Sequence, residues 1–293
     1  MAKPVQERII ELFLKGSAIL TVCTTIGILL VLLSESIPFF KEVSIFEFLT
    51  DTEWTPLFTN KRFGILPLIS GTLLVTLISI IVAVPIGIII AIFLSEYASS
   101  KFRKTVKPML EILAAVPTVV YGYFALMTVT PILQMIIPNL SGFNSLSAGI
   151  VMGIMIIPLV TSLSEDAMYA VPKSLREASF AMGASRLQTA FKVIIPAAFS
   201  GIVVSVILAI ARAIGETMIV AIAAGQQPRL TFDPTVPIET ITAYIVQVSS
   251  GDVPHGSLEY KTIYAAGITL FILTFSLNFI SFYIRRKFQE KYQ

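Results

Sequence analysis

Long apolar runs separated by short charged stretches set the rhythm of this chain, and the length of each run decides what it predicts. Residues 17–33 are uncharged and follow Lys3, Arg8 and Lys15. Basic residues ahead of an apolar run also describe a secretory signal. This run is long for one and no small-x-small cleavage site follows it, so a first membrane helix is the better reading. Residues 64–94 carry no charge over 31 positions, more than the ~20 that one span needs. A second helix over 70–94, kinked near Pro85, accounts for them. Further spans are predicted over 112–133, 146–163, 197–224 and 262–284, the last containing Asn278 and ending at Arg285, Arg286 and Lys287.

The stretches between the runs differ in kind. Residues 35–63 are polar with aromatic punctuation at Phe39, Phe40, Phe46, Phe48 and Trp54. Such rings favour a membrane–water boundary, which predicts a segment lying on the outer surface; plain packing within a loop is the other reading. Residues 95–107 read as a basic loop, and 138–144 as a short uncharged turn. Residues 226–261 carry Ile238, Ile241, Ile245 and Val248 at helical spacing, which predicts a short helix at the surface or dipping inward. In the span over 112–133, Thr118, Tyr121 and Tyr123 line a polar path or make hydrogen bonds between helices.

The loop over 165–196 has the most local punctuation. Ser174 to Glu177 reads SLRE, a capping box in which the serine oxygen takes a free backbone N–H and the glutamate reaches back. Gly183 is placed to close that helix after Met182, and Ser185 to Gln188 forms a second box. Leu175, Ala178 and Met182 share one face. So short a helix is marginal alone in water and needs a surface to pack on.

Composition agrees with a membrane-embedded chain. Its 293 residues are 55% hydrophobic and 13% charged, with mean hydropathy +0.85. The net charge of +3 is scattered rather than gathered into one patch, which argues against nucleic acid as a partner and leaves membrane lipid. With six spans both termini share a side, and the basic residues decide which. The N-terminus, the stretches after the second and fourth spans and the C-terminal tail hold 15 Lys and Arg, against 5 in the opposite segments. That bias puts both termini and the 165–196 loop in the cytoplasm. The single Cys23 and single His255 exclude an intrachain disulfide and a Cys/His metal cluster. No GxxxxGK[ST], GxSxG or HExxH occurs, so no catalytic residue, metal or cofactor is predicted, and the chain does not hydrolyse nucleotide itself.

Arg212 is the one basic residue outside the loops, and Glu216 follows four residues on. On a continuous helix the two side chains face the same way within pairing reach. Counting ~1.5 Å per residue from Pro196 puts Arg212 in the outer half of its span. Charges at such depth cost about 2.5–3.5 kcal/mol each, so they face protein or water. Two readings follow. The guanidinium is a forked contact for a phosphate or carboxylate, balanced by Glu216 when empty, or the two form an ion pair that locks helices together.

The stretch EASFAMGASRLQTAFKVIIP resembles the EAA loop of ABC importer permeases. Glu177, Ala178, Gly183 and Pro196 fall at that pattern's places, and Ser179, Val193 and Ile195 replace residues of like size or polarity. FEFLTDTEWTP, FGILPLISGT, LSEYAS, VPTVVYGY and ARAIGETM are similar to the PstC type of phosphate permease, so the resemblance covers about residues 46–278. It implies an all-α, six-span type I ABC importer permease fold. Its partners would be a PstA-like second permease, a homodimeric ATP-binding subunit and an extracytoplasmic phosphate-binding protein. It implies that Arg212 and Glu216 line the substrate path and that Ser174, Glu177, Ala178, Gly183, Ala184 and Pro196 couple to the ATPase. The expected division is residues 1–66, a first span with an outer interfacial segment; 67–284, a permease core carrying the 165–196 loop; and 285–293, a basic tail. The same architecture serving molybdate or sulfate is the nearer alternative. An ion-coupled secondary transporter or a structural scaffold is the further one, and no internal repeat supports the former.

Overall fold

The structure, a computed structural model, describes residues 5–288; the side chains of residues 5, 6, 8, 9 and 285–288 lie outside that description. Lys3, the side chains of Arg8, Arg285, Arg286 and Lys287, and residues 289–293 of the predicted tail therefore fall outside it. Among the described residues, five helices are long and apolar enough to cross a membrane, and one bent pair brings the number to six.

The first helix, α1 (Val5–Glu42), runs well past its predicted end. Its C-terminal turns carry Phe39 into a chain of edge-to-face rings with Phe48, Trp54 and Tyr244, at centroid separations of 5.8, 6.2 and 5.0 Å. Trp54 is 1% exposed. The outer segment is therefore folded into the body rather than spread on a boundary, because an antiparallel bridge between Trp54 and Phe63 turns the chain back on itself. Phe46, 77% exposed on the short α2 (Ile45–Thr50), is the aromatic that keeps the predicted surface position.

α3 (Leu66–Tyr97) contains Pro85 without being divided there, and its last turn, Phe93–Tyr97, is π-helical. The predicted basic loop is a helix, α4 (Ser100–Ala114), capped by Ser99 Oγ on the N–H of Phe102 at 3.2 Å. The third span begins later than expected, as α5 (Thr118–Ile136), because Pro117 disfavours helix at the residue before it. Tyr121 spans this hinge: its hydroxyl donates to Leu113 O at 2.8 Å, so that group is satisfied internally. Tyr123 is exposed.

α6 (Ser145–Tyr169), capped by Asn144 Oδ1 on Ser147 N at 2.7 Å, lies against α3 at the centre of the fold. Small residues let the two backbones approach. A Cβ on Gly149 would stand 2.7 Å from Ile78 Cβ, and one on Gly87 would stand 2.8 Å from Val160 Cβ. Gly149→Val is expected to destabilise the fold by about 1–3 kcal/mol through overpacking. Thermal unfolding of the detergent-solubilised protein measures it; an unchanged midpoint would show that the helices have room to separate.

The fifth span departs most from the sequence reading. α7 (Lys173–Ala181) leads to α8 (Arg186–Ala197), which meets α9 (Phe199–Ile214) at 73°. α9 then stops, and α10 (Met218–Ala223) restarts after a break at residues 215–217. A continuous helix over 197–224 is therefore not formed. Gly215 weakens the helix, and the Glu216 side chain takes the N–H groups that a continuous helix would bond to backbone carbonyls. The predicted short helix is α11 (Ile241–Ser250); Ile238, Ile241 and Val248 are buried, so it dips into the body. α12 (Leu258–Phe288) closes the chain against α1 and α9.

Candidate transport and coupling site

The predicted loop box at Ser174 does not form. Pro172, with φ −55°, occupies the cap position and starts the helix ahead of Ser174, and no side-chain bond closes this end. Ser174 and Glu177 stand exposed on the first turns. The other end forms as the sequence predicts: Gly183 has φ +81°, its N–H donates to Phe180 O at 2.9 Å, and Ala184 N donates to Ser179 O at 3.2 Å. The box at Ser185 is also present, with Gln188 N on Ser185 Oγ at 3.3 Å and Ser185 N on Gln188 Oε1 at 2.8 Å. Pro196 sits in the last turn of α8, at the 73° bend.

Of the predicted apolar stripe, Leu175 is half-buried against the cluster that contains Met168, Val171 and Ile194, while Ala178 is exposed and Met182 is 88% exposed. Phe180 is exposed beside them. α7 thus rests one edge on the body and leaves an apolar edge uncovered, as a helix awaiting a partner surface does.

Arg176 fixes that resting edge. Its Nη2 donates to Met168 O at 2.7 Å, in the last turn of α6, and its Nη1 to Val171 O at 2.7 Å, just beyond that helix. Nη2 and Nε also reach Glu96 Oε1, at 3.2 and 3.4 Å, in the π-helical turn of α3. One guanidinium therefore ties α7 to the C-terminal ends of two spans. Ser179 Oγ and Thr189 Oγ1, 2.8 Å apart, tie it to α8. Sequence reading missed Arg176 and Glu96; two opposite charges in flanking loops, 80 residues apart, give no periodic signal.

A second set of charges locks α4 to α6. Glu165, buried on α6, pairs with Arg103 Nη2 at 2.6 Å and Lys107 Nζ at 3.1 Å, and Lys107 also reaches Asp166 at 2.5 Å. Arg103 lies 3.7 Å over the ring of Tyr169. Burial works to lower the Lys107 pKa, but its hydrogen bonds to Asp166 and Glu165 outweigh it and raise the group above the ordinary lysine value.

Arg212 and Glu216 are not paired. The helix ends between them, so the four-residue register that would bring them together is lost. Glu216 Oε1 accepts from Met218 N at 3.0 Å and Ile219 N at 3.3 Å, committing the carboxylate to the start of α10. Arg212 makes no ion pair or hydrogen bond among the described residues. It faces a cavity of about 260 Å³ with Glu111 of α4 and Met155, Pro158, Leu159 and Ser162 of α6. Those are central turns of α6, so Arg212 lies near mid-depth rather than in the outer half. The count from Pro196 overstated its height because it ran through the 73° bend.

A bundle of helices long and apolar enough to cross a membrane, with an apolar edge of α7 left uncovered, is a polytopic membrane protein. The chain belongs to the binding-protein-dependent transport system inner membrane component family, whose model matches residues 83–291. It is 38% identical over 247 residues to a probable ABC transporter permease protein, YqgH, of Bacillus subtilis, covering 84% of this chain and 80% of that one. It is 34% identical over 258 residues to the phosphate transport system permease protein PstC of Mesorhizobium japonicum, covering 82% and 78%. A bacterial ABC transporter that imports the acidic polysaccharide alginate has the same fold, with TM-score 0.62, 17% identity and coverage of 98% and 100%. The chain is thus a multi-pass permease subunit of an ABC importer, in which ATP hydrolysis belongs to a separate subunit.

Proposed function

We propose that this chain is the PstC-type half of a phosphate importer, and that it passes inorganic phosphate through a pore shared with a PstA-like permease. Its likeness over four-fifths of the chain to permeases named for phosphate transport is the observation that carries this reading. A homodimeric ATP-binding subunit would take the exposed edge of α7, with Glu177, Ala178 and Met182, into a groove. An extracytoplasmic binding protein would deliver phosphate to the face formed by residues 35–63 and 226–257. The excess of Lys and Arg puts both termini and α7 in the cytoplasm. The division into 1–66, 67–284 with the 165–196 coupling loop, and a tail over 285–293 belongs to the same reading.

In this mechanism nucleotide-driven closure moves α7, Arg176 carries the movement to α3 and α6, and the break at residues 215–217 lets α9 and α10 move apart. Arg212 meets the anion at mid-depth, and Glu216 holds α10 rather than balancing Arg212. Membrane vesicles carrying the chain with its partners are expected to take up phosphate when ATP is supplied inside. Uptake should persist when the proton gradient is collapsed and should resist excess molybdate and sulfate. Uptake that follows the proton gradient instead, or prefers molybdate, would overturn the assignment.

A further inference from the structure

The outer face holds a cavity of about 390 Å³ between the loop at Trp54–Phe58, residues 226–228 and α11. Three glutamines are among its lining residues, Gln226, Gln227 and Gln247. So is Glu239, which is 2% exposed and whose Oε1 has no hydrogen-bond partner. A buried carboxyl left unsatisfied is costly and marks a place where a polar occupant belongs. The backbone holds it there deliberately: Gly71 of α3 leaves room for the Glu239 carbonyl, and Ile241 N donates to Thr72 Oγ1 at 3.1 Å. Arg229 Nη2 donates to Gln227 Oε1 at 3.0 Å, which sets a guanidinium at the rim and turns the amide NH₂ of Gln227 away from it.

We propose that this cavity is a transient outer subsite for a tetrahedral oxyanion, held by the amides of Gln226, Gln227 and Gln247 and by a hydrogen bond donated from the Glu239 carboxyl. It rests on the phosphate reading above and adds to it a site distinct from Arg212. Burial pushes the Glu239 pKa up to about 8, so the group is neutral and a donor at neutral pH. Among the described residues lining the cavity, Tyr244 is the other titratable group, and its hydroxyl is taken by Thr262 at 2.6 Å; the flanking strands of chain bring Arg229 as the near cation. α3 contributes Gly71 and Thr72 and no charge. A site with neutral donors and one rim cation binds an anion weakly, which suits a group that must be handed on. The handover has a physical link: Thr242, three residues from Glu239, donates from Oγ1 to Glu216 O at 2.7 Å, at the break in the fifth span.

The test is ATP-driven uptake of radiolabelled inorganic phosphate by the assembled transporter in vesicles, as a function of external pH, for the native chain, Glu239→Gln and Glu239→Ala. Native uptake should fall about tenfold between neutral pH and ~pH 9, as the carboxylate forms and repels the anion. Glu239→Gln should keep its uptake within about twofold over that range, since the amide donates without ionising. Glu239→Ala should raise the apparent KM at neutral pH about tenfold with the amount of assembled complex unchanged. Identical pH profiles and KM values for all three overturn the subsite alone. Loss of assembled complex in step with uptake in Glu239→Ala, with no change of profile in Glu239→Gln, makes Glu239 a structural group and also overturns it. A native chain that takes up no phosphate sinks the substrate reading and this inference together.

Discussion

Arg176→Ala is expected to lower ATP-driven uptake at least about a hundredfold while the chain still inserts and still binds its ATPase. The replacement removes the bonds to Met168 O and Val171 O at and just past the end of α6, and both contacts to Glu96. Hydrogen bonds from a charged donor contribute about 1.5–3 kcal/mol each. The pair with Glu96 is not a surface pair: the two side chains are 15% and 6% exposed. Removing one member of a buried pair costs about 3–5 kcal/mol, because the other is left without compensation. That loss falls at one place, the seat of α7, and leaves the α3–α6 packing alone. The exposed edge with Ala178 and Met182 is unchanged, so crosslinks from Ala178 to the ATPase should still form. ATP hydrolysis in the assembled complex should continue without driving uptake. Arg176→Lys should restore little, because an ammonium cannot serve two carbonyls and a carboxylate from one planar fork. Uptake within twofold of native in Arg176→Ala would remove the joint from the mechanism.

How much of this was legible before the structure depends on whether a signal was local. The spans at α1, α3, α6 and α12 are written in uninterrupted apolar runs, and the turn from α7 to α8 is written in Gly183 and Ser185, whose caps need nothing but neighbours. The late start of the third span was also there to be read, since Pro117 follows Val116 inside the predicted helix. Pro172 was a similar signal, and it outcompeted Ser174 for the cap. Other features were not local. The burial of Trp54 depends on Tyr244, 190 residues away, and a ring in a polar segment reads the same whether it meets lipid or protein. The break after Ile214 was hidden because Gly215, Glu216 and Thr217 are each tolerated in a helix; only the second use of the Glu216 carboxylate ends it. The ion pair with Arg212 was inferred from a periodicity that the break abolishes. Membership in the permease family was carried by the spacing from Glu177 to Pro196, within which Gly183 closes α7 and Pro196 sits at the 73° bend.

Arg212→Gln is expected to lower kcat/KM for phosphate uptake about ten- to a hundredfold without changing the amount of assembled transporter, and the absence of a partner is the reason both halves can be stated. A structural ion pair, once broken, exposes a buried charge and destabilises the chain by several kcal/mol. Arg212 has no such pair among the described residues, so a neutral side chain of similar length relieves rather than creates an electrostatic cost at mid-depth. What it removes is attraction for the anion at a cavity lined by Met155, Pro158 and Leu159, where Glu111 is the other charged group. Arg212→Lys should keep part of the rate, because a point charge still attracts an oxyanion but does not grip two of its oxygens at once. Glu216→Gln separates the two residues' roles. Its Oε1 still accepts from Met218 and Ile219, so uptake should stay within about threefold of native, whereas a counter-ion role for Glu216 would make the two neutral variants equally damaging. Should Arg212→Gln transport normally, or lose assembly in proportion to uptake, the guanidinium is not on the path of the ion.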